Sequence, residues 1–343
     1  MKNVFSRGHV FGLAAALLFG LAAPLCKALL PAAGPFTLAG LLYLGAFAAM
    51  LPLRRGGEAR VGRADAPALL GMIVLGGICG PVLLLFGLAR SSALSVSLLL
   101  NLEAPLTVAL AVAFFREHLT PREAVGALLV AGGAALLGAR TDGAGTTLPG
   151  VMFVTLACAA WAVDNVLSGS VSLKDPVQIV RIKTLPAGAT NLAIGSLAGE
   201  SLPPTRLLVA ALLVGAACYG ASLVLHVRAQ RELGAARQAA LFATAPFAGA
   251  LGAIALLGER VGLLEAGAAL AMALGVTLVL RARHSHAHTH PAVEHDHAHT
   301  HDEQHVHAHS GPVTEPHSHP HQHEAQTHEH AHVSDAHHRH RHP

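Results

Sequence analysis

The residues best suited to chemistry are ionisable side chains inside otherwise apolar stretches. Glu103 lies midway along the apolar run 93–115, beside Asn101 and two residues before Pro105. A charged group at the centre of a membrane helix costs about 2.5–3.5 kcal/mol on insertion scales, so it needs a reason. Pro105 removes one backbone hydrogen bond and leaves a carbonyl that could face a cavity. We expect Glu103 to be a protonatable coupling group or a substrate contact; the alternative is a neutral, hydrogen-bonded structural carboxyl.

A second polar pair, Asp164 and Asn165, follows Trp161 in a later apolar run. A carboxylate and an amide within the membrane could bind a cation, pass protons or hydrogen-bond a polar substrate. The alternative is a structural ion pair between Asp164 and either Arg181 or Lys183, which enter the next run from the same side. The sequence leaves both interpretations open.

Three further positions complete the candidate substrate site. Lys27, near the end of the first run, is either a fixed cation facing an anionic substrate group or a side chain that snorkels to the interface. Thr244 and Pro246 occupy the place in the ninth run that Glu103 and Pro105 occupy in the fourth. The sequence therefore predicts a substrate cavity between these two kinked helices, near the middle of the membrane.

Other polar residues are expected to be structural. Asn191 is typical of the polar residues that hydrogen-bond neighbouring membrane helices. His226 is expected at the membrane interface, and the glutamates at predicted helix ends are expected to be caps or loop contacts. Those glutamates are Glu117, Glu123, Glu259 and Glu265.

Histidines dominate the end of the chain. Of 25 histidines, three (His9, His118 and His226) precede residue 284, which leaves 22 for residues 284–343. Neutral imidazole is a good ligand for Zn, Ni, Co and Cu, and alternate histidines on a flexible chain can wrap one ion. We expect weak, collective metal binding here, and pH sensing or a tolerated low-complexity extension are alternatives. The candidate metal ligands are His284, His286, His288, His290, His295, His297, His299, His301, His305, His307 and His309. The tail has almost no large apolar residues, so it is predicted to be disordered.

Composition places the rest of the chain in a lipid bilayer. The apolar fraction is 52% and only 13% of residues are charged, whereas soluble domains carry about 25%. Between short polar loops lie apolar stretches of about 20 residues, the length that spans a bilayer as a helix. Ten spans are predicted, at 9–30, 35–53, 67–88, 93–115, 122–140, 149–170, 176–198, 206–227, 236–257 and 262–281.

The Lys and Arg residues give an orientation. With the N-terminus in the cytoplasm, sixteen of them fall on the cytoplasmic side and four (Arg90, Arg140, Arg206 and Arg260) on the other. Since cytoplasmic loops are enriched in Lys and Arg, we expect an inner-membrane protein with both termini inside. The net charge of +3 says little about nucleic acid, because the basic residues follow this pattern, and no nucleic-acid partner is expected. The four cysteines are scattered singly and are interpreted as ordinary helix residues.

The chain contains an internal repeat. The segment from Arg90 to Pro105 aligns without gaps on the segment from Arg231 to Pro246, 141 residues later, with the opening Arg and the closing Ala-Pro identical. Each half, 9–140 and 149–281, has five predicted spans, so the second copy must enter the membrane upside down. Inverted repeats of this kind are typical of secondary transporters. The predicted fold is an all-α membrane protein of two inverted five-helix repeats plus a tail, 284–343.

These features resemble the drug/metabolite transporter superfamily, and specifically proteins with two EamA domains. The resemblance rests on the paired ends of spans four and nine, Phe-Arg-Glu-His-Leu-Thr and Gly-Glu-Arg-Val, each followed by a helix rich in Gly and Ala. It covers about residues 9–281. The segment Ala-Trp-Ala-Val-Asp-Asn-Val-Leu-Ser, from Ala160 to Ser168, is similar to a branch whose members also end in His-rich tails. The chain departs from the common pattern at Phe19, where a Trp is frequent.

The resemblance implies transport of small organic solutes, often outward, driven by an ion gradient or by exchange. An alternative is efflux of a divalent metal collected by the tail, although the predicted spans contain few carboxylates and no His or Cys pairs. A further alternative is a membrane-tethered metal buffer or sensor. No required cofactor is expected. Enzyme activity is not predicted, because the sequence shows no nucleophile–base set and no phosphate-cradling loop.

Overall fold

The structure is a computed structural model of the chain. It describes residues 7–53, 60–115, 120–139, 146–171, 174–233 and 235–281, and four segments of the tail, 284–290, 293–299, 317–323 and 326–332. Glu117 and the candidate metal ligands His301, His305, His307 and His309 lie outside the described residues.

The first repeat is helical throughout its described part. Its α-helices are α1 (Arg7–Gly20), α2 (Ala22–Leu29), α3 (Pro35–Met50), α4 (Ala66–Gly71), α5 (Gly80–Arg90), α6 (Ala93–Leu99), α7 (Glu103–Phe115) and α8 (Pro121–Gly138). Three short 3₁₀ turns accompany them, at Leu30–Ala32, Arg63–Asp65 and Leu100–Leu102. A π-helical segment, Met72–Cys79, joins α4 to α5.

The second repeat has the same character. Its helices are α9 (Leu148–Ser170), α10 (Pro176–Leu197), α11 (Thr205–Val214), α12 (Ser222–Leu233), α13 (Ala235–Phe242), α14 (Ala245–Leu257) and α15 (Leu263–Arg281). A second π-helical segment, Gly215–Ala221, joins α11 to α12.

The membrane prediction is confirmed by these helices. In the described part of the chain, seven helical stretches are long and apolar enough to cross a bilayer, and α3 is a shorter apolar helix. The two remaining predicted spans coincide with α8 and α10, which pack along α15 and α3 respectively. Each of the ten predicted spans thus contains a helix in the described residues, but only seven have the length and hydropathy of a membrane span; α3 is shorter, and α8 and α10 do not meet both criteria.

Breaks in the helices recur at matching places in the two repeats. The π-helical segment Met72–Cys79 has its counterpart in Gly215–Ala221, and each contains two glycines. The 3₁₀ turn at Leu100–Leu102 splits the fourth span, and a turn at 243–244 splits the ninth. In each split span a proline follows within the first turn of the second helix, where a missing N–H costs no helical hydrogen bond. The repeat seen in the sequence is thus also a repeat of helix irregularities.

The described helices define two faces of the bundle. The termini face holds the start of α1 and the end of α15, together with the ends of α3 and α9. The distal face holds the connections 30–34, 91–92, 198–204 and 258–262. These names describe position only; which face lies in the cytoplasm remains the prediction from the Lys and Arg count.

Helix α3 is fixed at both ends by α10 and its flanking residues. At the distal face the Glu200 carboxylate accepts hydrogen bonds from the N–H groups of Phe36 (3.3 Å) and Thr37 (2.7 Å). At the termini face Arg181 Nη2 donates to the carbonyls of Met50 (2.6 Å) and Leu53 (2.7 Å). A carboxylate is attracted to the partial positive charge at the start of a helix, and a guanidinium to the partial negative charge at its end. Helices α3 and α10 therefore form one rigid pair.

Four seven-residue segments of the tail are extended, which differs from the expected disorder. Strand β1 (His284–His290) pairs antiparallel with β4 (Gln326–His332), and β2 (Val293–His299) pairs antiparallel with β3 (His317–His323). The His-x-His repeat has a period of two, which is the period of a strand. Disorder is predicted from the low apolar content of the tail. Composition does not depend on the order of the residues, so it cannot indicate this alternation.

Candidate functional site

The candidate site is a cavity of about 240 Å³ inside the helical bundle. Its charged residues are Glu103, Asp164 and Lys183. Its remaining lining comes mainly from aromatic and small side chains of α1, α9, α12, α13 and the two π-helical segments. Those residues are Phe19, Tyr43, Gly76, Trp161, Asn165, Val180, Thr184, Cys218, Tyr219, Ser222, Leu223, His226 and Phe242.

The cavity is nearer to the termini face. Val180 and Lys183 lie in the first turns of α10, which starts at that face, and His226 lies in the last turns of α12, which ends there. Asn165 and Leu223 are exposed although they line the cavity. The cavity is therefore accessible from its surroundings in this state.

Two polar pairs occupy one wall. Asn165 Nδ2 donates to Glu103 Oε1 at 2.7 Å, and Lys183 Nζ donates to Asp164 Oδ2 at 2.5 Å. Both pairs join different helices, α9 to α7 and α9 to α10. Asp164 is 7% exposed, and its Oδ1 has no hydrogen-bond partner among the described residues. Of the two structural alternatives for Asp164, the structure therefore has the pair with Lys183, while Arg181 binds the end of α3.

Aromatic rings form another part of the lining. The rings of Phe19 and Phe242 lie 5.2 Å apart, and the His226 ring meets the Phe242 ring edge-on at 4.7 Å. Phe19 and Tyr43 each lie against Tyr219, with ring centroids 6.1 and 5.8 Å apart. Such edge-on and tilted contacts are favourable for aromatic pairs and hold the rings in place. A solute in the cavity would thus meet both charged groups and aromatic surface.

The π-helical segment of the third span anchors this site. Tyr43 OH donates to the Gly76 carbonyl at 2.6 Å, and Trp161 Nε1 donates to the same carbonyl at 3.2 Å. Asn191 Nδ2 donates to the next carbonyl, Gly77, at 3.1 Å, as expected for a polar residue that links helices. A π-helical turn changes the backbone hydrogen-bond pattern and is frequent at functional sites. Here it offers carbonyls to side chains of three other helices.

Glycine is required at this point by close packing. A methyl group at Gly76 would overlap the Asp164 carboxylate, and one at Gly80 would lie 2.5 Å from Trp161 Nε1. The absence of a side chain at Gly76 and Gly80 therefore lets Asp164 and Trp161 approach the third span.

The residues predicted from sequence fall into two groups. Glu103, Asp164, Asn165 and Trp161 line the cavity together. Asn101 is buried and donates to the Leu98 carbonyl at 2.8 Å, within its own span. The other members of the second group, Pro105, Thr244, Pro246 and Lys27, are likewise not among the lining residues.

Lys27 has a structural role at the distal face. Its Nζ donates to the carbonyls of Leu88 (2.5 Å) and Ser91 (2.9 Å), at the end of α5. A cation at a helix C-terminus is favourable because the last carbonyls are otherwise unpaired. The structure therefore gives Lys27 no contact with the cavity where a substrate would bind. Thr244 occupies the place in the ninth span that Glu103 occupies in the fourth, but its hydroxyl donates to the Leu241 carbonyl within its own turn.

Several lining residues were missed because they are ordinary in sequence. Both tyrosines and the single tryptophan of the chain line the cavity. Tyr and Trp in membrane proteins usually lie at the two interfaces, so their presence inside apolar spans was a usable signal for Tyr43 and Tyr219. His226 also lies in the cavity, where Gln238 Nε2 is 3.1 Å from its Nδ1, and not simply at the interface.

Comparison with known proteins places the chain. It matches the EamA-like transporter family twice, over residues 6–139 and 148–281. An uncharacterised transporter of Methanothermobacter thermautotrophicus is 31% identical over an alignment 281 residues long, which covers 75% of this chain and 81% of that protein. A solved crystal structure aligns with a TM-score of 0.54 at 20% identity, covering 80% of this chain and 95% of its own, and supports the fold alone. The chain belongs to the EamA-like transporter family, within the drug/metabolite transporter superfamily.

Proposed function

We propose that this protein is a secondary active transporter, working as an exporter, of small organic metabolites or drugs. The observation that carries the proposal is the cavity between the repeats, which combines the Glu103–Asn165 and Asp164–Lys183 pairs with an aromatic wall. Binding sites near the midplane, at the interface of inverted repeats and beside broken helices, are typical of secondary transporters. Transport proceeds by alternating access, with helices on different sides of this cavity moving relative to each other.

The size and lining of the cavity support an organic solute. A volume of about 240 Å³ lies just below the usual range of pockets for drug-sized ligands, which fits a small solute, and the lining is mostly apolar with few polar groups. Glu103 is the proposed coupling group, because its carboxylate is paired with a neutral amide, whereas Asp164 is paired with a lysine. A proton or a cationic group of the solute can therefore bind Glu103 without displacing an internal cation.

Metal efflux has no observation in its favour. Within the described residues, no three His, Cys, Asp or Glu side chains are grouped as a metal ion would require. We propose instead that the tail is a metal-binding accessory that buffers or regulates. The strand register supports this role: it places His286 opposite His330 and His288 opposite His328. Imidazole donors suit Zn, Ni, Co or Cu, and the metal would be held by the chain's own histidines.

The experiment is a tolerance panel of organic solutes and divalent metals on a strain that lacks the protein. The full chain and a chain ending at residue 283 are each restored to that strain. We expect both chains to confer tolerance to the same organic solutes. We expect the chain that ends at residue 283 to confer no metal tolerance, because metal is not proposed to cross through the membrane part. Tolerance to metals alone, lost with the tail, would favour metal efflux over this proposal.

A further inference from the structure

The distal half of the bundle is closed where the fourth and ninth spans cross. Helices α6 and α14 pack against each other there. A methyl group at Gly249 of α14 would lie 2.8 Å from Ser97 Oγ of α6 and 2.6 Å from the Gly20 carbonyl of α1. Ser97 is completely buried, and its hydroxyl has no partner among the described residues. No room for a solute remains between these helices in this state.

The same two spans diverge toward the termini face. Beyond its break at Leu100–Leu102, the fourth span continues as α7, which packs mainly on α9. The ninth span begins there as α13, which packs on α1 and α12. The cavity lies between these diverging parts, with Glu103 on one and Phe242 on the other. Spans four and nine are thus closed distally and open toward the termini face.

Glu259 bonds the closed ends together. Helix α14 ends at Gly258, whose φ of 68° is favourable for glycine and turns the chain sharply. This turn places the Glu259 carboxylate at the start of α6, where it accepts the N–H groups of Ala93 (2.8 Å) and Leu94 (2.7 Å). Both N–H groups belong to the first turn of a helix, so they have no helical partner of their own. Charge-assisted hydrogen bonds of this kind are among the stronger ones in proteins.

We propose that Glu259 is the distal latch of the transport cycle: its carboxylate must leave the N–H groups of Ala93 and Leu94 before α6 and α14 can separate. The inference rests on the proposed alternating access, because a solute that enters from the termini face has to leave between these two helices. Neither Glu259 nor its hydrogen-bond partners Ala93 and Leu94 are among the residues that line the cavity, so Glu259 is a positioning residue that acts on the state of the bundle.

Glu200 provides a matched control. Its carboxylate also accepts two consecutive N–H groups at a helix start, those of Phe36 and Thr37, and also joins the second repeat to the first. The helices it joins, α3 and α10, pack along their length and are bonded at the other end by Arg181. Loss of Glu200 therefore removes an equivalent cap without freeing an exit path.

The test is the rate at which N-ethylmaleimide modifies Ser97→Cys in the full-length purified protein. Mass spectrometry of peptides locates the modified thiol, so the native cysteines stay in place. We expect Glu259→Gln to raise the rate about tenfold or more, the shift that follows from losing a hydrogen bond to a charged group. Glu200→Gln is expected to leave the rate unchanged. A second reporter, Leu223→Cys in the cavity, is expected to react more slowly in Glu259→Gln as the termini face closes.

Equal rates in Glu259→Gln and the parent, or equal increases in Glu259→Gln and Glu200→Gln, would overturn the latch. If Glu259→Gln is not monodisperse, Glu259→Asp is measured in its place, with the same rates expected. It keeps the charge but shortens the side chain by one methylene, so the carboxylate no longer reaches the two N–H groups. The outcome is separable from the proposed function. If the parent transports a solute but the labelling rate of Ser97→Cys does not change with Glu259→Gln, only the latch is refuted. If the parent transports no solute, the proposed function is refuted.

Discussion

Lys183 Nζ lies 2.5 Å from Asp164 Oδ2, and this ion pair joins α10 to α9 inside the cavity. Only 17% of the lysine side chain and 10% of the aspartate side chain are exposed. Charges removed from water in this way are tolerated when they are paired. Among the described residues, Glu103 is the cavity carboxylate whose hydrogen-bond partner is a neutral amide, that of Asn165. The proposed coupling role is therefore assigned to Glu103 and not to Asp164.

Replacement of Lys183 by Met is expected to destabilise the protein by about 3–5 kcal/mol, because it leaves an uncompensated buried carboxylate. Thermal unfolding in detergent measures the loss. The double variant Lys183→Met with Asp164→Asn should recover most of the stability, since neither charge then remains. Lys174→Ala is the control: Lys174 lies 4.0 Å from Asp65 in a more exposed pair, which contributes at most about 1 kcal/mol. If Lys183→Met and Lys174→Ala unfold at the same temperature, the structural role of the pair is contradicted.

Gly76→Ala is expected to cost about 1–3 kcal/mol, because the new methyl group overlaps the Asp164 carboxylate and overpacking displaces its neighbours. The same measurement on Gly132→Ala provides the comparison. Gly132 lies within α8 with no atom within 4 Å of an added methyl group, so the substitution should be neutral or stabilising by up to about 1 kcal/mol. If both variants unfold alike, the close approach of Asp164 to the third span is not important for stability.

Glu103→Gln is expected to change the dependence of transport on pH. The amide keeps an oxygen for Asn165 Nδ2, so the helix contact survives while the titratable group is lost. Transport by Glu103→Gln should vary less with pH than transport by the parent, measured in vesicles over a range of internal pH. Glu123→Gln is the control, because Glu123 caps its own helix through Thr120, outside the cavity. An unchanged pH profile in Glu103→Gln would remove the coupling role.

Deletion of residues 284–343 is expected to abolish most metal binding and to leave solute transport intact. The reason is that the deletion removes 22 of 25 histidines, whereas the cavity lining lies wholly within residues 19–242. Calorimetric titration with Zn²⁺ or Ni²⁺ measures binding, and the solute panel measures transport. A tail-less protein that binds metal as strongly as the full chain would place the metal site in the membrane part.

Much of the fold follows from the sequence because it depends on local properties. Apolar length and punctuation by Pro, Gly and charge predict ten helical stretches, and the 141-residue repeat predicts matching halves. The π-helical segments could not be predicted, because the Gly-rich sequences that form them are also ordinary in membrane helices. The segment Met72–Cys79 is bonded by partners such as Tyr43 and Asn191, which are distant in sequence.

The site was predicted in part for the same reason. A charge inside an apolar run stands out, so Glu103 and Asp164 were found from their own segments. Lys183 was recognised only as one of two possible partners, because its contact with Asp164 depends on how α9 and α10 pack. Lys27 stood out equally, yet its ammonium group binds the carbonyls at the end of α5. Hydropathy identifies a side chain that is unfavourable to bury in an apolar environment, but it does not identify the partner that compensates for the burial.

The proposed route of the organic solute across the membrane is the cavity of Glu103, Trp161, Asp164 and Lys183. The most direct test is export of a solute identified by the tolerance panel, measured in cells that express the full chain, the tail-less chain or Trp161→Ala. We expect export by the full and tail-less chains and a loss of export in Trp161→Ala, since Trp161 lines the cavity. Export that persists in Trp161→Ala but disappears with the tail would contradict the account.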